Sequence, residues 1–242
     1  MTAHEWEDHA DWWQRQFTDG VDPEYTEQIL PLAATWLAGF DRVLDIGTGE
    51  GQVARHLVET NASRVVGIDP ATGQVVEARR RGPSVPYAQG GAAELPFVDG
   101  SFDGAVACLV FEHIDDLDRA IGESARVLRP GGRFVLFLNH PLLQTPGSGW
   151  IDDQILDPPE QYWRIGPYLS EGATIEQVEA GVFIRFVHRP LSRYLNAMAA
   201  AGLALEQMVE PAPPPGFLAR APEYGEAATI PRLAMLVARR GT

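Results

Sequence analysis

Lysine is absent: all 19 basic residues of this 242-residue chain are arginine. Cysteine occurs once, as Cys108, which excludes an internal disulfide framework and any thiolate metal cluster and makes the reducing cytoplasm the expected compartment. Positive charge of any kind is scarce. Against 33 acidic residues the net charge is -14, which repels a phosphate backbone and disfavours nucleic-acid substrates. No apolar run approaches the ~20 residues of a membrane span. The first residues, MTAHEWEDHADWWQ, are acidic and aromatic rather than basic and then apolar, so neither an export signal nor a membrane anchor is expected.

What is present is ordinary globular composition, 45% hydrophobic and 21% charged, enough for one packed domain with an appendage. Apolar spacing predicts helix over 24–38, with Pro31 starting or kinking a turn, and over the preceding stretch with Trp6, Trp12, Trp13 and Phe17. Strands are expected at RVLDIG (42–47), RVVGID (64–69), around VPYAQGG, at GAVACLVF (104–111) and at RFVLFL (133–138). Helices alternate with them, and RPGG reads as a turn. Such alternation predicts an α/β fold, a doubly wound parallel sheet covered on both faces. Regularity then breaks at 139–174, a stretch rich in Pro, Gly, Trp and Tyr, read as an inserted cap. A hairpin about Gly181, a helix at 190–202 and two final strands at 203–210 and 231–240 follow. The expected division is an N-terminal helical lid (1–40), a core (41–139), a cap insertion bearing the substrate region (140–189) and a completion of the core (190–242).

The stretch VLDIGTGEGQ (43–52) sets glycine at every second position, Gly47, Gly49 and Gly51. The dinucleotide fingerprint needs its third glycine one position later, where Gln52 stands, and no glycine-lysine pair of a phosphate loop exists. Asp45 at the strand end opposes a phosphate but favours a ligand with an ammonium and a sulfonium.

At this point the chain resembles the class I S-adenosylmethionine-dependent methyltransferases, in particular their small-molecule group. The resemblance rests on four motifs in register: VLDIGTGEGQVARHL (43–57), VVGIDPATGQVVEAR (65–79), AAELPFVDGSFDGAVACLVFEHI (92–114) and ARVLRPGGRFVLF (125–137). It implies a Rossmann-like, seven-stranded sheet whose last strand runs antiparallel between the fifth and sixth. S-adenosylmethionine is the implied cofactor, with S-adenosylhomocysteine as product. By the resemblance, Gly47, Thr48, Gly49 and Gly51 let the backbone approach the methionine and ribose, and Asp45 faces the amino end. Asp69 accepts both ribose hydroxyls, Pro70, Ala92 and Ala93 border the adenine, and Cys108, Leu109 and Val110 line the cofactor. Gly91 departs from the pattern, because an acidic residue there often holds the adenine amino group.

Methyl transfer is an in-line displacement helped chiefly by alignment and desolvation, so a base is needed only if the acceptor must lose a proton. His140, right after the fifth strand, and His113 are the candidates for that role, each set against a purely structural histidine. His188 either caps the next helix or lines the pocket, and His4 and His9 read as solvent-facing. Trp13, Tyr25, Trp150, Tyr162, Trp163 and Tyr168 are candidates for an aromatic wall around the acceptor. WIDDQILD and EHIDDLD place carboxylates close together, but an acidic solvated face is the simpler reading and no metal is expected. The expected reaction is methyl transfer to O, N or C of a small, uncharged or aromatic molecule, by a monomer or homodimer. The alternatives are a regulatory module that holds S-adenosylmethionine without turnover and, further off, a dinucleotide oxidoreductase.

Overall fold

The computed structural model describes residues 6–7, 9–18, 20–61, 64–220 and 227–242; His4 lies outside them. The core strands are β1 (Arg42–Ile46), β2 (Arg64–Asp69), β3 (Tyr87–Gln89), β4 (Phe102–Cys108) and β5 (Leu128–Asn139). Two hairpins follow, β6 (Gly149–Asp153) with β7 (Glu160–Arg164), and β8 (Gly172–Glu179) with β9 (Val182–His188). β10 (Leu203–Val209) and β11 (Leu233–Arg240) complete the chain. Seven strands form one sheet in the order β10-β11-β5-β4-β1-β2-β3. The expected topology holds: β1 to β5 are mutually parallel, and β11 lies antiparallel between β5 and β10.

Each central strand is apolar on both sides, and the period of two sends alternate residues to opposite faces. Leu44, Phe134, Leu136 and Leu236 join one buried cluster, while Val43, Val135, Phe137 and Val237 join the other. The first cluster packs beneath α5 (Leu117–Val127) and α6 (Leu191–Ala200). The second packs beneath α2 (Leu30–Trp36), α3 (Gln52–Asn61) and α4 (Thr72–Arg81). Asp116 caps α5 by accepting from the Arg119 amide at 3.0 Å. Pro31 cannot donate to the carbonyl of Glu27, and the chain answers with a π turn over Tyr25–Ile29 just before α2. Ahead of it, α1 (Ala10–Phe17) carries Trp12 and Trp13. His9 just before it is half-buried, not solvent-facing.

Three local expectations are corrected. The fourth strand runs from Phe102 and stops at Cys108, because Leu109 turns to φ 54° and Phe111–His113 form a short 3-10 turn. RPGG does not separate α5 from β5 but bulges within it: Phe102 pairs with Leu128 and Gly104 with Arg133, so the extra residues loop out at Gly131 (φ 76°). The irregular stretch after residue 139 holds the β6–β7 hairpin, in which Trp150 pairs with Trp163.

Candidate functional site

The strand order reverses beside β1, whose neighbours are β2 and β4, and the carboxyl ends of these strands open into a crevice. A cavity of about 420 Å³ occupies it. Its walls come from the segments after β1 (Asp45, Gly47, Thr48, Gly49, Glu50), after β2 (Asp69, Pro70, Gln74), after β3 (Gly90–Ala93) and after β4 (Cys108–Val110, His113–Asp116). Trp6, Trp13, Thr18 and Tyr25 close it from the N-terminal side.

The glycine loop is tied to β2, since the amides of Gly47 and Thr48 both donate to the Ile68 carbonyl, at 2.8 and 2.9 Å. Gly47 (φ 70°) and Gly49 (φ 55°) hold left-handed backbone that a Cβ would strain. At Gly47 that Cβ would also fall 2.3 Å from Cγ2 of Val110, so the loop and the β4 wall touch through the missing side chain. Gly51 serves a different purpose from the one the resemblance implies. It does not line the cavity, and its absent side chain makes room for the Tyr87 hydroxyl, 2.3 Å from where a Cβ would be.

Asp45 is buried, and a single oxygen, Oδ2, accepts both the Thr48 hydroxyl at 2.6 Å and the Ala54 amide at 3.1 Å. Burial outweighs those bonds and pushes its carboxyl up to about 7. Asp69 uses both oxygens: Oδ2 accepts from the Gly49 amide and Oδ1 from the Ala71 amide, each at 2.9 Å. Its carboxyl is likewise pushed up by burial, to about 6. A carboxylate has about four lone-pair directions, so Asp69 keeps capacity for two further donors. Both groups sit at an energetic cost that a cation or hydroxyl donors in the cavity would offset.

On the β4 side, Leu109 lines the cavity in its strained left-handed conformation. The Cys108 thiol contacts the Tyr25 hydroxyl at 3.6 Å, and burial pushes both groups well up, which makes the thiol a packing group. His113 reaches the cavity; its Nδ1 donates to the Arg185 carbonyl at 2.9 Å, its ring meets Trp6 edge-on at 5.0 Å and tilts against Phe186 at 4.7 Å. Burial holds this imidazole down at about 4, neutral near pH ~7.

The other histidine and aromatic candidates lie elsewhere. His140 is buried with Nε2 donating to Glu210 at 2.7 Å and Nδ1 accepting from the Leu142 amide at 3.2 Å, a link between β5 and the exit of β10. His188 donates to the Tyr168 carbonyl at 2.8 Å, and the Tyr168 hydroxyl accepts from the Leu191 amide at the start of α6. Trp150 and Trp163 pack on each other at 5.6 Å within their own hairpin, and Tyr162 is exposed. No described residue of 140–189 lines the cavity. The insertion reaches it at second hand, through Arg185 and Phe186 on His113, through Arg185 and Arg189 on Asp115, and through Glu179, which accepts from Trp12 Nε1 at 2.7 Å on α1.

Two residues missed in the sequence brace the β4 wall. Arg189, 4% exposed, donates to the carbonyls of Phe111, Ile114 and Asp115, at 3.3, 2.7 and 2.9 Å. Glu112 accepts from the amide and side chain of Asn139, and burial pushes its carboxyl up to about 7. Neither has a short motif of its own; the only sign was their place in FEHI and FVHRPLS.

Residues 44–136 match the model of the family described as "Methyltransferase domain". A demethylmenaquinone methyltransferase of Thermus thermophilus is 41% identical over 127 residues, 50% of this chain and 57% of that protein. An O-methyltransferase of Aspergillus sclerotiorum is 31% identical over 136 residues, 53% of this chain and 52% of the relative. The chain thus spans about half the length of these relatives. A solved S-adenosylmethionine-dependent methyltransferase of Mesorhizobium loti superposes with a TM-score of 0.75 at 28% identity, covering 90% of this chain and 98% of that one. The matched domain, the strand order and the glycine loop make residues 44–136 a methyltransferase domain of the class I S-adenosylmethionine-dependent kind.

Proposed function

We propose that this protein transfers the methyl group of S-adenosylmethionine to a small-molecule acceptor, on O, N or C. The observation that carries the reading is the pairing of Asp45 and Asp69, two buried carboxylates pushed above their usual range, on either side of a left-handed glycine loop at the switch point of the sheet. Their chemistry fits the cofactor. Asp69 has lone pairs left for two ribose hydroxyls, and Asp45 offers a carboxylate to an ammonium. The absence of side chains at Gly49 and Gly91 leaves space along the remaining edge, with nothing within 4 Å of a Cβ at Gly91. Bound there, S-adenosylmethionine supplies an electrophilic methyl carried on a sulfonium.

In this reading Leu109, Val110 and Tyr25 exclude water from the transfer, and Trp6 and Trp13 orient the acceptor. Among the described residues His113 is the one histidine on the cavity, where it can take a hydrogen bond or a proton from an acceptor, whereas His140 is structural. The N-terminal segment (1–40) acts as the lid, since its aromatics are the ones on the cavity; the insertion (140–189) supports that lid and is not itself the substrate wall. No helix among the described residues is long and apolar enough to cross a membrane; a cytoplasmic location is proposed on the single cysteine.

Calorimetric titration with S-adenosylmethionine and S-adenosylhomocysteine, beside Asp69→Ala, tests the proposal. Micromolar binding that the variant loses supports it, and folded wild-type protein that binds neither compound overturns it. Tight binding without consumption across a broad acceptor panel would instead favour a regulatory module.

A further inference from the structure

We infer that the acceptor end of this cavity admits neutral or cationic aromatic molecules and rejects anionic ones, an inference that rests on the methyl-transfer reading above. The walls there are aromatic and set at right angles. Trp6 stands edge-on to Trp13 at 5.8 Å and 87°, Trp13 to Tyr25 at 6.4 Å and 86°, and Trp6 to His113 at 5.0 Å and 84°. Phe17 covers one face of Trp13, stacked on it at 4.3 Å and 25°, and the perpendicular contacts leave the remaining π faces to a flat apolar group or to a cation held within about 6 Å.

Charge points the same way. Among the described residues no arginine lines the cavity, and the chain has no lysine, whereas Asp45, Glu50, Asp69, Asp115 and Asp116 all do. Among the described residues the guanidinium groups beside the cavity are engaged. Arg185 pairs with Asp115 at 2.7 Å, Arg55 and Arg81 pair with Glu50 at 2.6 and 3.5 Å, and Arg189 is committed to three backbone carbonyls. Anion recognition in proteins relies on arginine forks, lysine or bare helix N-termini. Among the described residues three helix N-termini border the cavity, and a carboxylate meets each: Asp45 accepts from the Ala54 amide of α3 at 3.1 Å, Asp116 from the Arg119 amide of α5 at 3.0 Å, and Glu7 from the Thr72 and Gly73 amides of α4 at 2.6 and 2.8 Å. Among the described residues, a carboxylate- or phosphate-bearing acceptor would meet like charge and no unpaired guanidinium. His113, kept neutral by burial, adds none.

The test uses the full chain saturated with S-adenosylhomocysteine near neutral pH. Three probes of one shape are titrated by calorimetry: 2-naphthol, 2-naphthylmethylamine as the cation and 2-naphthoate as the anion. The naphthol and the amine are expected to bind, with the naphthoate at least ~10-fold weaker, and that gap should narrow when salt is raised from ~50 mM to ~500 mM. Asp115→Asn removes one charge and releases Arg185, so naphthoate affinity should rise at least ~3-fold. Naphthoate binding within ~3-fold of naphthol, or none of the probes binding at ~1 mM while S-adenosylhomocysteine does, overturns the inference. Failure of S-adenosylhomocysteine itself to bind is a separate result, read before any probe is added, and overturns the methyl-transfer reading with the inference.

Discussion

Acidification should weaken cofactor binding, and the structure sets how much. Asp45 and Asp69 titrate at about 7 and about 6 in the unliganded protein because burial opposes their charge, yet an ammonium and a diol are best held by the ionised forms. Going from pH ~7.5 to ~5.5, a group near 7 falls from ~75% to ~3% ionised, about 25-fold. A group near 6 falls from ~97% to ~25%, about 4-fold. If both must be ionised, affinity for S-adenosylhomocysteine drops by roughly 100-fold, about 2.7 kcal/mol. Protons should be released on binding at pH ~6, which calorimetry in buffers of different ionisation enthalpy detects. His113 contributes nothing over this range, because burial holds it at about 4, below the window.

Asp45→Asn is the decisive control. Both bonds to Asp45 converge on one oxygen, so an amide oxygen can accept the Thr48 hydroxyl and the Ala54 amide while the charge disappears. Asp69→Asn lacks that advantage, since its two bonds use different oxygens and one amide would then face an NH2 group. The Asp45 variant should bind more weakly at pH ~7.5 and retain only the ~4-fold dependence left by Asp69. An affinity flat within ~3-fold from pH ~7.5 to ~5.5 in the wild type, or an unchanged slope in the variant, would refute the reasoning.

Stability of the ligand-free protein should carry the opposite signature. Asp45, Asp69 and Glu112 have folded pKa values above their unfolded ones, so the folded state binds more protons between about 4 and 7, and their contribution is lost as pH rises through that window. The Tm without ligand is therefore expected to be higher at pH ~6 than at ~7.5. Gly47→Ala forces left-handed backbone and a Cβ into Val110, and should cost about 2–5 kcal/mol in urea unfolding. Arg189→Met strips donors from three carbonyls behind the β4 wall; a loss of about 2–4 kcal/mol is expected, and a loss below ~1 kcal/mol would contradict the bracing role. His140→Gln should cost about 1–3 kcal/mol of stability while S-adenosylhomocysteine affinity stays within ~2-fold, separating the His140–Glu210 link from the site.

Strand and helix alternation, and with it the doubly wound sheet, was legible because burial on both faces writes unbroken apolar runs and helices write their own period. Asp45 and Asp69 were legible for a related reason: each ends a strand, and a glycine loop that needs left-handed backbone leaves its mark within a few residues. The antiparallel last strand came only with the family resemblance that the four motifs carry, not from its own residues. The aromatic wall was legible only in part: of its candidates Trp13 and Tyr25 line the cavity, and Trp150, Tyr162, Trp163 and Tyr168 do not. Tryptophans in the N-terminal segment and in the insertion look alike in sequence, and only packing decides that Trp6 and Trp13 reach the cavity while Trp150 and Trp163 meet edge-on within their own hairpin. The histidines differ in the same way. His140 meets Glu210 seventy residues on, and His113 meets Arg185 across a hairpin seventy-two residues away. Gly51 was assigned to a ligand when its partner is Tyr87 of β3, two strands from β1. Local chemistry sets strands, turns and strand-end carboxylates, because their causes lie within a few residues of one another. Which side chains face the cavity depends on partners distant in the chain, and that was decided only when the sheet brought them together.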